Sequence, residues 1–305
     1  MLRYTLKRFG VALLVALTVS VVTFTLLRLS GDPAAALAGE GATEEDIEYV
    51  RKHYGFDQPL TTQYSAWLVK ALKGDFGISV YLKTPVSEII FERAPTTLIL
   101  GLSALSFALI LSIPLGVLAA MYPNTIIDRT ALTIAVVGQA LPSFFFALVL
   151  IIVFGVWLRM LPISGSASWL NFIMPSVALG YYATPAIMRL TRAGMMDVLS
   201  SDYIRTARAK GLRPRVVLFK HALRNAIIPV VSLSAVQLGF MLGGSIVIET
   251  IFSLNGLGNL AWQSIQRSDF EVMQAIVLTV ASFYIVLTFL ADMLNAFLDP
   301  RIRVH

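Results

Sequence analysis

TTLILGLSALSFALILSIPLGVLAAM, residues 96–121, contains no charged side chain. As a helix it reaches about 39 Å, more than the roughly 30 Å hydrocarbon core of a bilayer. Working outward, comparable apolar runs occupy residues 9–29, 131–158, 171–190, 227–250 and 272–298. Polar, Gly and Pro residues punctuate the stretches between them. Runs of this length must satisfy their backbone groups internally, which only a helix or a closed barrel achieves in lipid. The sequence therefore predicts an all-α polytopic membrane protein with about six transmembrane helices.

Composition agrees. Of 305 residues, 57% are hydrophobic and only 14% charged, and the mean hydropathy is +0.76. A soluble domain is nearer half apolar and a quarter charged. The net charge of +6 sits beside the apolar runs, so membrane topology explains it better than nucleic acid does. There is no cysteine, which removes disulfides, thiol catalysis and cysteine metal sites. His53, His221 and His305 show no metal-ligand spacing. No G-x-x-x-x-G-K-[ST], H-E-x-x-H or G-x-S-x-G occurs, so neither a nucleotide-binding loop nor a familiar hydrolytic centre is present.

Orientation comes from the loops. Residues 189–225 carry nine Lys and Arg against Asp197 and Asp202, and positive-inside places that loop in the cytoplasm. Residues 30–95 carry more acids than bases and fall outside. Both termini are then cytoplasmic, in keeping with Arg3, Lys7 and Arg8 at one end and Arg301 and Arg303 at the other. The first run is too long for a cleaved leader and reads as a retained signal anchor, despite Ala34, Ala35 and Ala36 beyond it. The chain divides into residues 1–95, an anchor plus extracytoplasmic segment, and residues 96–305, a membrane core.

The outer segment is too long for a plain loop. Thr43 followed by Glu44, Glu45 and Asp46 reads as a helix N-cap, and a second helix is expected over 62–72, ending near Gly74. It is either a cap at the outer mouth or a packed linker. In the basic loop, Ser200, Ser201 and Asp202 offer a cap, Tyr203, Ile204 and Ala207 follow at helical spacing, Gly211 stops the helix with an expected positive φ, and Pro214 restarts the chain. Such a helix suits either a groove on a partner or a basic anchor at lipid headgroups.

Residues 202–229, DYIRTARAKGLRPRVVLFKHALRNAIIP, resemble the coupling-loop signature of ABC importer permeases in its dipeptide/oligopeptide form. Arg205-Thr206-Ala207 stand where the general motif has Glu-Ala-Ala, Gly211 at its glycine, and Leu223-Arg224 where Leu-Pro is usual. The likeness extends along the chain: MLRYTLKRFG (1–10), LLRLSGDPA (26–34), HYGFDQPLTTQYSAWLVKALKGDFGIS (53–79), IVIETIFSLNGLGNLAWQSIQRSDF (246–270) and LNAFLDPRIR (294–303).

The resemblance implies type I importer architecture in the inner membrane and a permease that is not itself an enzyme. It implies a second homologous permease, two cytoplasmic ATPase subunits that bind ATP and Mg, and an extracytoplasmic binding protein. This chain carries no cofactor of its own. The solute is a peptide or similar small molecule, with glutathione, a nickel complex, an opine or a sugar as alternatives. Tyr203, Arg205, Ala207, Arg208, Lys210 and Gly211 become the contact to the ATPase, with Ala207 at a tight approach.

Pore candidates are Gln139, Pro142 and Ser143, where a proline interrupts a span, and Glu249 near the end of the fifth span. For Glu249 a structural pairing is the preferred alternative to a place on the path. Gly239-x-x-x-Gly243 offers a face for close approach of the second permease. The turn at Asn255-Gly256-Leu257-Gly258 reads as a surface or re-entrant loop. A secondary transporter would show internal repeats and a membrane enzyme a nucleophile–base pair; neither is visible.

Overall fold

The computed structural model describes residues 2–39 and 41–298; Arg301, Arg303 and His305 lie outside them. The described residues form helices and no named strand. Helix α1 (Leu2–Ser30) leads to three short helices, α2 (Pro33–Ala38), α3 (Glu44–His53) and α4 (Leu60–Leu72). Next come α5 (Val86–Met121), α6 (Ile126–Ala140) and α7 (Ser143–Leu150), the last continuing as a π-helical segment over Ile151–Trp157. Then follow α8 (Ile173–Tyr181), α9 (Thr184–Leu199), α10 (Asp202–Ala209), α11 (Pro214–Val216) and α12 (Arg224–Ala226). The chain closes with α13 (Ile228–Ile251), α14 (Leu257–Gln266) and α15 (Phe270–Leu298).

Four helices, α1, α5, α13 and α15, are long and apolar enough to cross a membrane. The other two expected spans are each broken. Residues 131–158 divide at Leu141 and Pro142, both with extended backbone. Residues 171–190 divide at Tyr182 and Ala183, just before Pro185 in the first turn of α9. Proline lacks the N–H that would continue the ladder, so both breaks follow from its placement. The expected span 96–121 is the apolar part of a longer helix, since α5 begins at Val86 and continues through Pro95.

Helix α5 is the centre of the bundle, packing on α6, α8, α9, α13 and α14. One of its faces is built of small residues, Thr97, Gly101, Ala104, Ala108, Ser112 and Gly116, all buried. In lipid no hydrophobic force draws helices together, so close backbone approach and dispersion must do it. The fit is tight. A Cβ on Gly116 would stand 2.7 Å from Thr191 Cβ and 2.8 Å from the Met188 carbonyl. A Cβ on Gly180 would meet the Ala104 carbonyl. Ser112 Oγ donates to the Thr184 carbonyl at 3.0 Å, and Ser103 shares a hydrogen bond with Ser176 at 2.6 Å.

Helix α1 lies at the periphery, against α15, with Leu6, Leu13, Leu14 and Leu17 exposed as a lipid-facing surface requires. Arg8 pairs with Asp292 at 3.2 Å, so the acid inside the sixth expected span is neutralised by the first helix. Asn295 donates to Ser232 Oγ at 2.6 Å. These contacts gather the start of α1, the end of α15 and the start of α13 at one end, which also holds α10 and its arginines.

At the opposite end, Thr43 caps α3 in a full capping box with Asp46, as expected. α4 rests on α1 through Tyr64 and Trp67 against Phe24, with Tyr64 hydrogen-bonded to Ser20 at 2.8 Å. Ser79 Oγ donates to Asp269 at the start of α15, which fastens the loop before α5 to the end of the chain.

Candidate functional site

The two broken helices meet. Gln139, the penultimate residue of α6, donates from Nε2 to the carbonyl of Tyr182, in the break between α8 and α9. Pro142 occupies the N-cap position of α7 and Ser143 its first turn. Beside them opens a cavity of about 450 Å³ lined by Ser143, Tyr182, Ala183, Gln237, Phe240 and Gly244, among others. Non-helical backbone such as that at Leu141 and Pro142 is tolerated at membrane depth where it is buried in protein or borders a cavity. The start of α7 and the Tyr182–Ala183 turn, whose backbone stays in the helical region, border the same one. Its polar groups are neutral: a hydroxyl, a phenol and an amide.

Of the three sequence candidates, Ser143 lines this cavity, Gln139 touches its wall through the Tyr182 carbonyl, and Pro142 lies just outside the lining. Tyr182 and Gln237 line it and were not singled out from sequence. Gln237 had a signal, being the only side-chain amide in α13. Tyr182 had none beyond its nearness to Pro185.

Glu249 is elsewhere. Its side chain is fully buried. Oε1 accepts from Thr97 Oγ1 at 2.8 Å and Oε2 from the backbone N–H of Asn259 at 2.9 Å. Thr97 Oγ1 in turn accepts from Leu257 N–H at 2.8 Å. Leu257 and Asn259 lie in the first turn of α14, whose own N-cap is Gly256 and has no side chain to offer. Glu249 and Thr97 therefore cap α14 from two other helices, with the carboxylate at the positive end of its dipole. These contacts are the structural pairing preferred from the sequence. In the Asn255–Gly258 turn, Asn255 is exposed while Gly256, Leu257 and Gly258 are buried, which fits the re-entrant alternative better than a surface loop. Glycine is required at 256, where a Cβ would clash with Glu249 Oε2.

The second site is α10. Ser201 holds the N-cap position with extended backbone, but its hydroxyl donates to the Val198 carbonyl and does not cap the helix. Gly211 has φ +76°, as the sequence required, and its N–H reaches the Arg208 carbonyl at 2.9 Å. Ile204 and Ala207 point inward, into a cluster with Val117 of α5, Met195 of α9, and Val217 and Ala222 of the segment after α11. The tight contact expected of Ala207 is thus made with its own chain. Tyr203 and Arg208 are exposed on either flank of this buried stripe, about 140° apart at 100° per residue. Tyr203 is tied to Asn225 at 2.9 Å. Arg205, Thr206, Ala209 and Lys210 are exposed, and Arg205 pairs with Asp202 at 3.3 Å. Thr206 and Ala209 were missed; the helical phase of Ile204 and Ala207 would have placed them outermost.

One buried ion pair braces this end. Arg192 on α9 donates twice to Asp128 in the first turn of α6, at 2.8 and 2.7 Å. The Arg192 guanidinium holds the Asp128 carboxyl below the usual carboxylate range, opposed by burial and helped by the Asn124 N–H.

The two glycines of the Gly239-x-x-x-Gly243 face differ in their surroundings. Gly239 is filled by the chain itself, since a Cβ there would run into the Tyr284 ring of α15. Gly243 and Gly244 meet open space. Among the described residues no cluster of His, Cys, Asp and Glu could hold a metal ion.

Residues 112–304 match the family described as binding-protein-dependent transport system inner membrane component, and residues 1–101 match the N-terminal portion of the same transport-system membrane component. The chain belongs to this family. It is 42% identical over 304 residues to the glutathione transport system permease protein GsiC of Escherichia coli (strain K12), covering 99% of each chain. The GsiC of Shigella dysenteriae serotype 1 (strain Sd197) is similar to the same extent.

Two crystal forms of the inward-facing MetNI methionine ABC transporter share the fold, with TM-scores of 0.59 and 0.56 at 19% identity, covering 69% of this chain and 96% of theirs. The chain is thus a permease subunit of an ABC importer, a multi-pass protein of the inner membrane. The family is an inner-membrane component of a transport system that depends on a binding protein.

Proposed function

We propose that this chain is one of two homologous permease subunits that together enclose the path of a small peptide. The observation that carries this reading is the cavity where the α6/α7 and α8/α9 breaks face α13. Its neutral hydroxyl, phenol and amide suit a zwitterionic or anionic peptide that must pass without being trapped by a fixed charge. The likeness to GsiC favours glutathione, a tripeptide, as the first solute to test. Phe240, 73% exposed, and the open Gly243 and Gly244 form the surface on which the second permease completes the path.

The chain crosses the membrane six times, the two broken helix pairs supplying two crossings, with both termini in the cytoplasm. The basic end then faces the cytoplasm, where α10 docks on one of two ATPase subunits through Tyr203, Arg205, Thr206, Arg208, Ala209 and Lys210. Ile204 and Ala207 couple α10 to α5 and α9 through their shared cluster, and Gly211 sets the turn that follows. ATP and Mg are held by the ATPase subunits, not by this chain.

The deciding experiment reconstitutes this chain with its partner permease, ATPase subunits and binding protein in proteoliposomes. ATP-dependent accumulation of labelled glutathione is expected. Uptake of other short peptides with no glutathione uptake would move the solute elsewhere in the peptide class. Uptake that ignores both ATP and binding protein would refute the mechanism.

A further inference from the structure

An open groove of about 750 Å³ lies between α10 and the last turns of α5 and α9. Its floor is apolar, formed by Met121 of α5, Met196 and Leu199 of α9, and Leu218 after α11. Met121 is 40% and Met196 37% exposed, unusual for side chains with a large core beside them. Arg208 and Arg215 line the same groove. Among the described residues neither arginine has an ion pair or side-chain hydrogen bond. The nearby acid Asp202 is engaged by Arg205.

We propose that this groove seats one anionic phospholipid, with its phosphate between Arg208 and Arg215 and an acyl chain along the methionine–leucine floor. Three observations converge. The wall is the end of α5, a helix about 54 Å long by its 36 residues, so it emerges from a hydrocarbon core of roughly 30 Å and the floor lies near the boundary of lipid and water. Two free guanidiniums, fork-shaped donors matched to phosphate oxygens, stand at that boundary. Beside them is apolar surface that a soluble anion would leave uncovered; an amphiphile satisfies both. Arg208 stands on the flank of α10 and is shared with the ATPase contact proposed above, whereas Arg215 and the methionine–leucine floor lie outside α10 and belong to the groove alone.

The leaflet concerned rests on the cytoplasmic placement of α10 proposed above; the chemistry of the groove does not. The test is native mass spectrometry of the assembled transporter titrated with phosphatidylglycerol or phosphatidylcholine. The wild-type complex should retain one phosphatidylglycerol at least tenfold more readily than phosphatidylcholine. Arg215→Gln should abolish that preference, and Met196→Gln should weaken retention of both lipids, with all subunits still present. Equal retention of both lipids by the wild type, or an unchanged preference in R215Q, would overturn the proposal. So would loss of the ATPase subunits from R215Q with the lipid kept, which would assign the groove to the subunit interface. Inverted topology would show in thiol labelling at position 208 and leave lipid retention unaltered, so the two failures are distinguishable.

Discussion

Gly256→Ala tests the cap that Glu249 supplies to α14. The new Cβ would stand 2.6 Å from Glu249 Cδ and 2.6 Å from Thr97 Oγ1, and closer still to Glu249 Oε2. Restoring an ordinary contact of about 3.4 Å moves the carboxylate or the turn by roughly 1 Å. The bonds at stake are already 2.8 and 2.9 Å, so that shift takes at least one beyond hydrogen-bonding range. A charge-assisted bond contributes about 1.5–3 kcal/mol, and the N–H left behind is buried. A loss of about 3 kcal/mol follows, concentrated in α14. Hydrogen exchange reads it directly, because 3 kcal/mol of local opening free energy is roughly a hundredfold in rate. Amides in the first turn of α14 should exchange that much faster, while those of α5 change little. Glu249→Gln keeps an acceptor and should lose about half as much. Unchanged exchange at residues 257–260 in G256A would refute the cap.

Three further outcomes follow. Breaking the Arg192–Asp128 pair with Arg192→Met should cost about 1–2 kcal/mol at pH 7, because Asp128 is buried but the Arg192 side chain is 24% exposed and water screens the charge left behind. Because the folded carboxyl titrates below its unfolded value near 3.8, the pair's contribution is present above that pH and fades as pH falls through the lower folded value; a thermal-stability gap between variant and wild type that stays constant from pH 7 to pH 3 would contradict it. On α10, Thr206→Trp should strip the ATPase subunit from the purified complex without lowering the permease's melting temperature, whereas Ala207→Asp should lower it by burying an unpaired charge; the opposite pattern would reverse the assignment of faces. The chain has no cysteine of its own, so single cysteines at Thr43 and Gln63 should react with an impermeant thiol reagent in spheroplasts, and one at Arg208 only after permeabilisation.

Much of the fold was legible because hydrophobic length is a strong signal. The runs that became α1, α5, α13 and α15 needed nothing beyond composition. The capping box at Thr43 and the positive φ at Gly211 were legible because each is fixed by a few neighbouring residues. What failed was non-local. Pro142 and Pro185 were visible, but not that the two breaks they create face each other. A structural pairing of Glu249 could be preferred from sequence, but its partners, Thr97 and Asn259, could not be named because they come from distant stretches. The small size of Ala207 suits close packing at home as well as close approach by a partner, and its neighbours Val117 and Met195 come from distant stretches. Gly239 looked free until Tyr284 was found against it.

The central claim is that an ATPase, acting through α10, opens and closes a path bordered by Gln237. A cysteine at Gln237 in the assembled, reconstituted transporter measures this most directly, by the rate at which a small thiol reagent modifies it. The account expects that rate to change at least tenfold when ATP is added, and the change to vanish in the Thr206→Trp background. A rate at position 237 that is the same with and without ATP would contradict it.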